Sequence, residues 1–291
     1  MFFCLSVLHF QCCDTFIMSL IQGIVLLLLS ISLVQSRSIK VLDNVLSEEI
    51  DKSTDPDFYS VSAIIERANK NIEKSKSGFN ITHGDIAEYT GLQNADPCTA
   101  RGCKWPRNQN GNVNVPFVIS RQYSPNERNV ILRGLESFQR STCVRFVPRT
   151  NEEHFLNIIS DNGCYSFIGR RSGRQVVSLQ RGGCVFHNIV QHELLHALGF
   201  HHEQNRSDRD QHVRILLQNV LRGQEHNFNI VNTNNLRTPY DYNSVMQYER
   251  FAFSSNRQPT ILPIPDNNVS IGRATEMSPN DILRINRLYC S

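Results

Sequence analysis

Residues 191–210 read QHELLHALGFHHEQNRSDRD. His192 and His196 are four apart in a stretch that predicts a helix over 187–198, so their imidazoles share one face about one turn apart. That arrangement suits Zn²⁺, which binds histidine nitrogen at roughly 2.0–2.1 Å and keeps room for water. Glu193 directly follows the first histidine. It can reach a water on the metal without competing for the ion, which equips it to take a proton and return it to a leaving amine. Gly199 provides the positive φ that ends the helix and turns the chain back, and His202 then approaches the same ion from the other side. Three neutral ligands leave zinc strongly Lewis-acidic, with a bound water titrating near about 7. A bare HExxH occurs by chance in ordinary helices; a third histidine, a glycine and a second glutamate at set offsets argue against chance. His201 reads as a surface or packing residue, and His187 as the start of the helix.

The surrounding chain has 291 residues, 40% hydrophobic and 20% charged, which excludes wholesale disorder, collagen and coiled coil. A net charge of +3, with no lysine-rich or basic and aromatic stripe, gives no sign of a nucleic-acid partner. The apolar run GIVLLLLSISLV at 23–34 has the length of a signal-peptide core and is short of the roughly 20 residues of a spanning helix. Val34-Gln35-Ser36 then offers a cleavage site. Residues 1–36 are therefore read as a signal peptide, with Met18 as an alternative start, and the product as secreted and extracellular with no stable membrane association. Cleavage there removes Cys4, Cys12 and Cys13 and leaves Cys98, Cys103, Cys143, Cys164, Cys184 and Cys290, an even set for an oxidising compartment. Sequons at Asn80, Asn205 and Asn268 fit that route.

Between 37 and 93 acidic residues outnumber basic ones, no cysteine occurs, and VSAIIERANKNIEK reads as an amphipathic helix. From 94 onward basic residues predominate, Lys104 is the one lysine, and all the retained cysteines appear. The break divides a propeptide, 37–93, from a catalytic domain, 94–291. Within that domain strands are predicted at 113–119, 144–147, 156–160, 164–168 and 175–179. An amphipathic helix opens at Ser124-Pro125 and a last helix at Ser278-Pro279. Strands and helices followed by a helix-poor second half indicate a two-lobed α+β fold.

The string HELLHALGFHHEQNRSDRD resembles the metzincin signature, and its continuation through Glu203, Arg206, Asp208, Arg209 and Asp210 resembles the astacin family in particular. The resemblance implies a metzincin domain with a mixed sheet and the active-site helix in its N-terminal lobe, and one Zn²⁺ held by His192, His196 and His202. It implies Glu193 as general base and Glu203 as the contact of the mature amino terminus. Tyr242-Asn243-Ser244-Val245-Met246-Gln247-Tyr248 is similar to the family's Met-turn. Met246 is then the turn methionine, and Tyr248 the residue that ligates resting zinc and later donates to the oxyanion. Gln247 stands where many members carry histidine. Six cysteines allow 15 pairings; the resemblance implies Cys143 with Cys290, Cys164 with Cys184, and Cys98 with Cys103, the last as in six-cysteine fish astacins.

Thr82-His83-Gly84-Asp85 keeps the Gly-Asp of the family's propeptide motif without its aromatic residue, which makes Asp85 the expected latency switch. Activation would cut near 93–94, where no arginine precedes the bond. Strand 175–179 resembles the family's edge strand, which would pair with an extended polypeptide substrate. The function implied is a secreted zinc endopeptidase made as a monomeric zymogen, a hatching-type enzyme acting on egg-envelope proteins. The alternatives are a nephrosin-like tissue protease and an inactive zinc-containing binding protein; the retained Glu193 and ligands speak against the latter.

Overall fold

The computed structural model describes residues 57–72, 79–89 and 103–291. The expected signal peptide, the earlier part of the 37–93 segment, the boundary at 93–94 and Cys98 lie outside the described residues. In chain order the elements are helix α1 (Val61–Asn69), strands β1 (Phe79–Thr82), β2 (Ile86–Tyr89) and β3 (Val113–Ile119), and helix α2 (Pro125–Gln139). Strands β4 (Val144–Pro148), β5 (Phe155–Ile159), β6 (Cys164–Phe167) and β7 (Arg174–Leu179) lead to helix α3 (His187–Ala197). Strands β8 (Val213–Ile215) and β9 (Ile261–Pro263) and helix α4 (Pro279–Ile285) complete the order.

Strands β1 to β7 form one mixed sheet in the order β1-β2-β6-β7-β5-β3-β4. The edge position expected for 175–179 is corrected here. Strand β7 is paired on both sides, parallel to β5 and antiparallel to β6. Its side chains Gln175, Val177, Ser178 and Leu179 are buried, so both faces of the strand are covered. Within the chain from 103 onward it is β6 that forms the edge, and there β2 is added in parallel, Ile86 opposite Ser166 and Ala87 opposite Phe167. The ring of Phe79 packs against Tyr165 at 5.2 Å and Phe167 at 5.5 Å, fastening the β1–β2 hairpin to β6.

Helix α2 begins with a capping box: Glu127 N–H donates to Ser124 Oγ, and Ser124 N–H to Glu127 Oε2 at 2.7 Å. Helix α4 repeats the device with Ser278 and Asp281. Helix α3 has no side-chain cap, and Ile189 to Ala197 are all buried, so packing rather than local propensity holds it. Its last carbonyls are satisfied from three distant parts of the chain. Gly169 N–H donates to His196 O at 2.8 Å, Trp105 Nε1 to Ala197 O at 2.9 Å, and the Tyr289 hydroxyl to Leu198 O at 2.7 Å.

Two hydrophobic cores result among the described residues, beside the small cluster of Phe79, Ala87, Tyr165 and Phe167 under the hairpin. The larger joins the sheet to α2, α3 and α4; the smaller holds Val213, Val220, Phe228, Tyr240, Tyr248, Phe253 and Ile261. Met246 belongs to the first and Tyr248 to the second. The disulfide Cys143–Cys290 closes a loop of 147 residues, and Cys164–Cys184 ties β6 to the segment before α3. In a chain-entropy account the long closure contributes on the order of 5 kcal/mol. Cys103 is also disulfide-bonded.

Gly134 lies where α2 meets α3: a Cβ there would stand 2.4 Å from Val190 Cγ1 and 2.8 Å from its Cβ. Turning χ1 of Val190 costs a strongly preferred rotamer and leaves its Cβ where it is. Helix propensity alone would favour Gly134→Ala by about 1 kcal/mol, whereas overpacking costs about 1–3 kcal/mol. Thermal unfolding of Gly134→Ala is expected to show a lower midpoint, and a higher one would mean that the helix contact has slack.

Candidate metal centre and cleft

Gly199, at φ +101°, turns the chain at the end of α3 so that His202 returns against His192 and His196. The three ring centroids lie 4.7 to 5.2 Å apart. His192 Nδ1 is 2.8 Å from Val245 O, and His196 Nδ1 is 2.8 Å from Phe200 O. A carbonyl oxygen only accepts, so both rings carry their proton on Nδ1 and turn an Nε2 lone pair inward.

Asp85 meets all three rings. Its Oδ2 is 3.0 Å from His192 Nε2, and its Oδ1 is 3.3 Å from His196 Nε2 and 3.1 Å from His202 Nε2. The hairpin tip His83-Gly84-Asp85 delivers it, with φ of +48° at His83 and +86° at Gly84. Glycine is required there twice over, because a Cβ on Gly84 would stand 2.6 Å from the Tyr248 hydroxyl.

The donor types fit zinc: three imidazole nitrogens and a carboxylate oxygen, all buried and within 4.8 Å of one another. Asp85 Oδ1, His196 Nε2 and both Glu193 carboxylate oxygens are buried without hydrogen-bond partners. Orphans of that kind cost about 1–3 kcal/mol each, which a bound cation would offset. Burial pushes the His202 imidazole down to about 3 against the opposing charge of Asp85, so the ring is neutral. Burial alone would raise Asp85, but its contacts with the imidazoles of His202, His196 and His192 hold its carboxyl well below the ordinary range. Glu193 is raised well above that range by burial and by the nearby Asp85 charge.

The Tyr248 hydroxyl donates to His83 O, and its ring lies 4.6 Å from that of His202. Burial, with the charges of Asp85, Glu66 and Glu193, pushes this phenol well up, so it is a hydrogen donor. The turn before it is anchored to α4: Ser244 Oγ donates to Asp281 Oδ1 at 2.6 Å and Val245 N–H to Asp281 Oδ2 at 3.0 Å. Met246 is buried, and its carbonyl accepts from Glu203 N–H at 3.0 Å.

Glu203 is held by Arg284, whose Nη1 and Nη2 donate at 2.6 and 2.7 Å, by Arg206 at 3.3 Å, and by Asp241 N–H at 2.7 Å. A cavity beside it is lined by Ile168, Leu195, Phe200, Asn234 and Leu236. Sequence reading did not find Arg284, and it read Asp281 only as part of a helix start. It also saw the apolar face of α1 but not the opposite one, where Ser62, Glu66 and Asn69 recur at i, i+4 and i+7. Ser62 Oγ accepts from Glu249 N–H at 2.9 Å and Glu66 Oε2 from Phe253 N–H at 2.8 Å. The Asn69 amide donates to Gly84 O and Cys164 O and accepts from Cys164 N–H, each at 2.8 Å. Among the sequons, Asn80 and Asn268 are exposed. Asn205 is buried, with its amide donating to Asn227 O and Asn229 O, so the folded chain has no room for a glycan there.

The family model described as Astacin, a peptidase family, matches residues 101–290. The Low choriolytic enzyme of Oryzias latipes is 45% identical over 269 residues, spanning 91% of this chain and 96% of that protein. The High choriolytic enzyme 2 of the same species is 47% identical over 234 residues, 80% of this chain and 82% of that protein. Among solved structures, High choriolytic enzyme 1, a hatching enzyme zinc-protease from medaka, matches with a TM-score of 0.63 at 51% identity. It covers 64% of this chain and 94% of its own.

Removing Arg284 would leave Glu203 buried with a single weaker cationic partner. Breaking such a pair costs about 3–5 kcal/mol, so Arg284→Met is expected to lose that much stability in denaturant titrations. A loss below about 1 kcal/mol, the range of exposed pairs, would show that the bridge is solvent-screened.

Proposed function

The chain belongs to the astacin family of zinc metalloendopeptidases, and from that membership we propose a secreted, latent precursor whose mature form cuts extended egg-envelope proteins. The observation that carries the latency is Asp85, delivered by the hairpin tip onto all three histidines. His192, His196 and His202 would hold zinc, which would supply a Lewis acid for the scissile carbonyl and for water. Glu193 takes the proton of the attacking water and returns it to the leaving amine. Tyr248, protonated, donates its hydroxyl to the developing oxyanion once His83 O has left it.

In the precursor the propeptide blocks each of these groups. Asp85 takes the site at which water would be activated, His83 O takes the tyrosine hydroxyl, and β2 covers the edge of β6. Cleavage near 93–94 and departure of the hairpin would free that edge for main-chain pairing with substrate. It would also release a new amino terminus for Glu203 and its adjoining cavity. The disulfides Cys143–Cys290 and Cys164–Cys184 support an oxidising, extracellular compartment. Among the described residues no helix is long and apolar enough to cross a membrane. The names of the relatives, choriolytic and hatching enzyme, support the egg envelope as substrate.

The test uses the full chain and a quenched peptide, with egg-envelope protein and casein as competing substrates. Chelation is expected to abolish cleavage, and Glu193→Gln to lower kcat by about 10²- to 10⁴-fold. Asp85→Ala is expected to open the metal of the uncut, zinc-loaded precursor to a small hydroxamate, while β2 and His83 O still withhold peptide. An uncut Asp85→Ala chain that holds zinc and binds the hydroxamate no better than the unaltered precursor would refute latency through Asp85, and casein cut as readily as envelope protein would refute the substrate.

A further inference from the structure

Tyr248 carries its chemistry on a hydroxyl, yet its main chain is held more closely than its ring. Tyr248 N–H donates to Gln204 Oε1 at 3.1 Å, and Tyr248 O accepts from Gln247 Nε2 at 2.9 Å. Both glutamines are buried, Gln204 at 0% exposure and Gln247 at 2%. We propose that Gln204 and Gln247 form an amide clamp on the Tyr248 peptide that sets where its hydroxyl stands during catalysis, with Tyr240 fixing the orientation of the clamp. All three are positioning residues. The inference rests on the reading of Tyr248 as the oxyanion donor.

The polarity of the clamp follows from two groups that have no choice. A backbone carbonyl only accepts, so Gln247 presents its NH₂ to Tyr248 O and its oxygen to the opposite side. There the Tyr240 hydroxyl stands 2.6 Å from Gln247 Oε1 and must donate. A backbone N–H only donates, so Gln204 presents its oxygen to Tyr248 and its NH₂ to Asn205 Oδ1 at 3.2 Å. Asn205 then donates to Asn227 O at 3.0 Å and Asn229 O at 2.7 Å. Each amide is locked against flipping by a fixed partner, and the chain of bonds ends on main-chain carbonyls.

Tyr240 is itself immobile. Its ring stacks on His212 at 4.8 Å and 18°, with the Arg206 guanidinium 5.6 Å from its centroid. Burial, with Glu203 and Tyr242 nearby, raises its phenol well above the ordinary range, so its proton stays in place.

The clamp acquires its importance when the propeptide leaves. The Tyr248 hydroxyl then loses His83 O. The other ring contacts of Tyr248, with His202 at 4.6 Å, Phe253 at 5.8 Å and Phe228 at 6.3 Å, involve no hydrogen bond. The main-chain hydrogen bonds remain as the element that fixes the base of the side chain. The residue at 247 must therefore offer one donor and one acceptor. Glutamine does so, neutral histidine can, and ionised glutamate cannot.

The experiment compares Tyr240→Phe, Gln247→Glu, Gln247→His and Tyr248→Phe in the full chain, matured and zinc-loaded. It reads kcat and KM for a quenched peptide, and Ki for a phosphinic peptide that mimics the tetrahedral oxyanion. Tyr240→Phe and Gln247→Glu are each expected to lower kcat about tenfold, the scale of one buried hydrogen bond. KM should stay within about twofold, the mark of an interaction made only in the transition state, and the phosphinic Ki should weaken by the same factor as kcat falls. Gln247→His should retain kcat within about threefold, because it keeps both hydrogen-bonding roles. If Gln247→Glu does not fold, Tyr240→Phe, which preserves the stacking, decides the matter. Unchanged kcat in Tyr240→Phe and Gln247→Glu beside a loss in Tyr248→Phe would overturn the clamp and leave the oxyanion donor standing. Unchanged kcat in Tyr248→Phe would overturn both. Losses tracking the melting temperature, without rescue by histidine, would reduce the clamp to ordinary packing.

Discussion

A helix buried on every side cannot leave its last carbonyls to solvent, and in this protein that constraint arranges the rest. Helix α3 ends among the metal-site residues, so water is a poor partner for its C-terminal groups. Trp105, Gly169 and Tyr289 come instead from the segment before β3, the loop after β6 and the end of the chain. Each carries its own neighbourhood along. The turn at Gly199 then follows as the way out, and the way out brings His202 back. The geometry of the three imidazoles is thus a by-product of terminating one buried helix correctly.

The same economy governs polar groups around the site. His192 and His196 have their tautomers set by carbonyls, Asp281 serves both its own helix cap and the turn of Ser244 and Val245, and Glu203 is enclosed by two arginines. The buried atoms left without partners include Asp85 Oδ1, His196 Nε2, His202 Nδ1 and both Glu193 oxygens, which gather at the place where the general base of a hydrolase is expected.

How much could be read beforehand depends on range. The ligand spacing was legible because two imidazoles one helical turn apart is a local fact, and so were the helix starts at Ser124 and Ser278. Strands β3 to β7 were legible from their local pattern, whereas the three- and four-residue strands β1, β2, β8 and β9 were too short to show one, and strand position was not legible at all. The neighbours of β7 depend on sheet order, which no local pattern carries. Glu203 and Arg284 are 81 residues apart, and nothing in either neighbourhood names the other. Gln247 was visible as a departure from a family habit, yet its meaning needed Tyr240 beside it. In α1 the amphipathic pattern reported the side that packs and was silent about the side that binds.

That silent side bears on how such proteins diversify. Ser62, Glu66 and Asn69 hold Glu249, Phe253 and Cys164 through N–H and C=O groups alone. Main chain is common to all residues, so a grip of this kind is blind to the identity of the side chains around it. The side chains of Glu249, Phe253 and Cys164 could therefore vary without breaking these particular hydrogen bonds to the helix, whereas the hairpin's hold on β6 through Phe79, Tyr165 and Phe167 depends on the rings themselves.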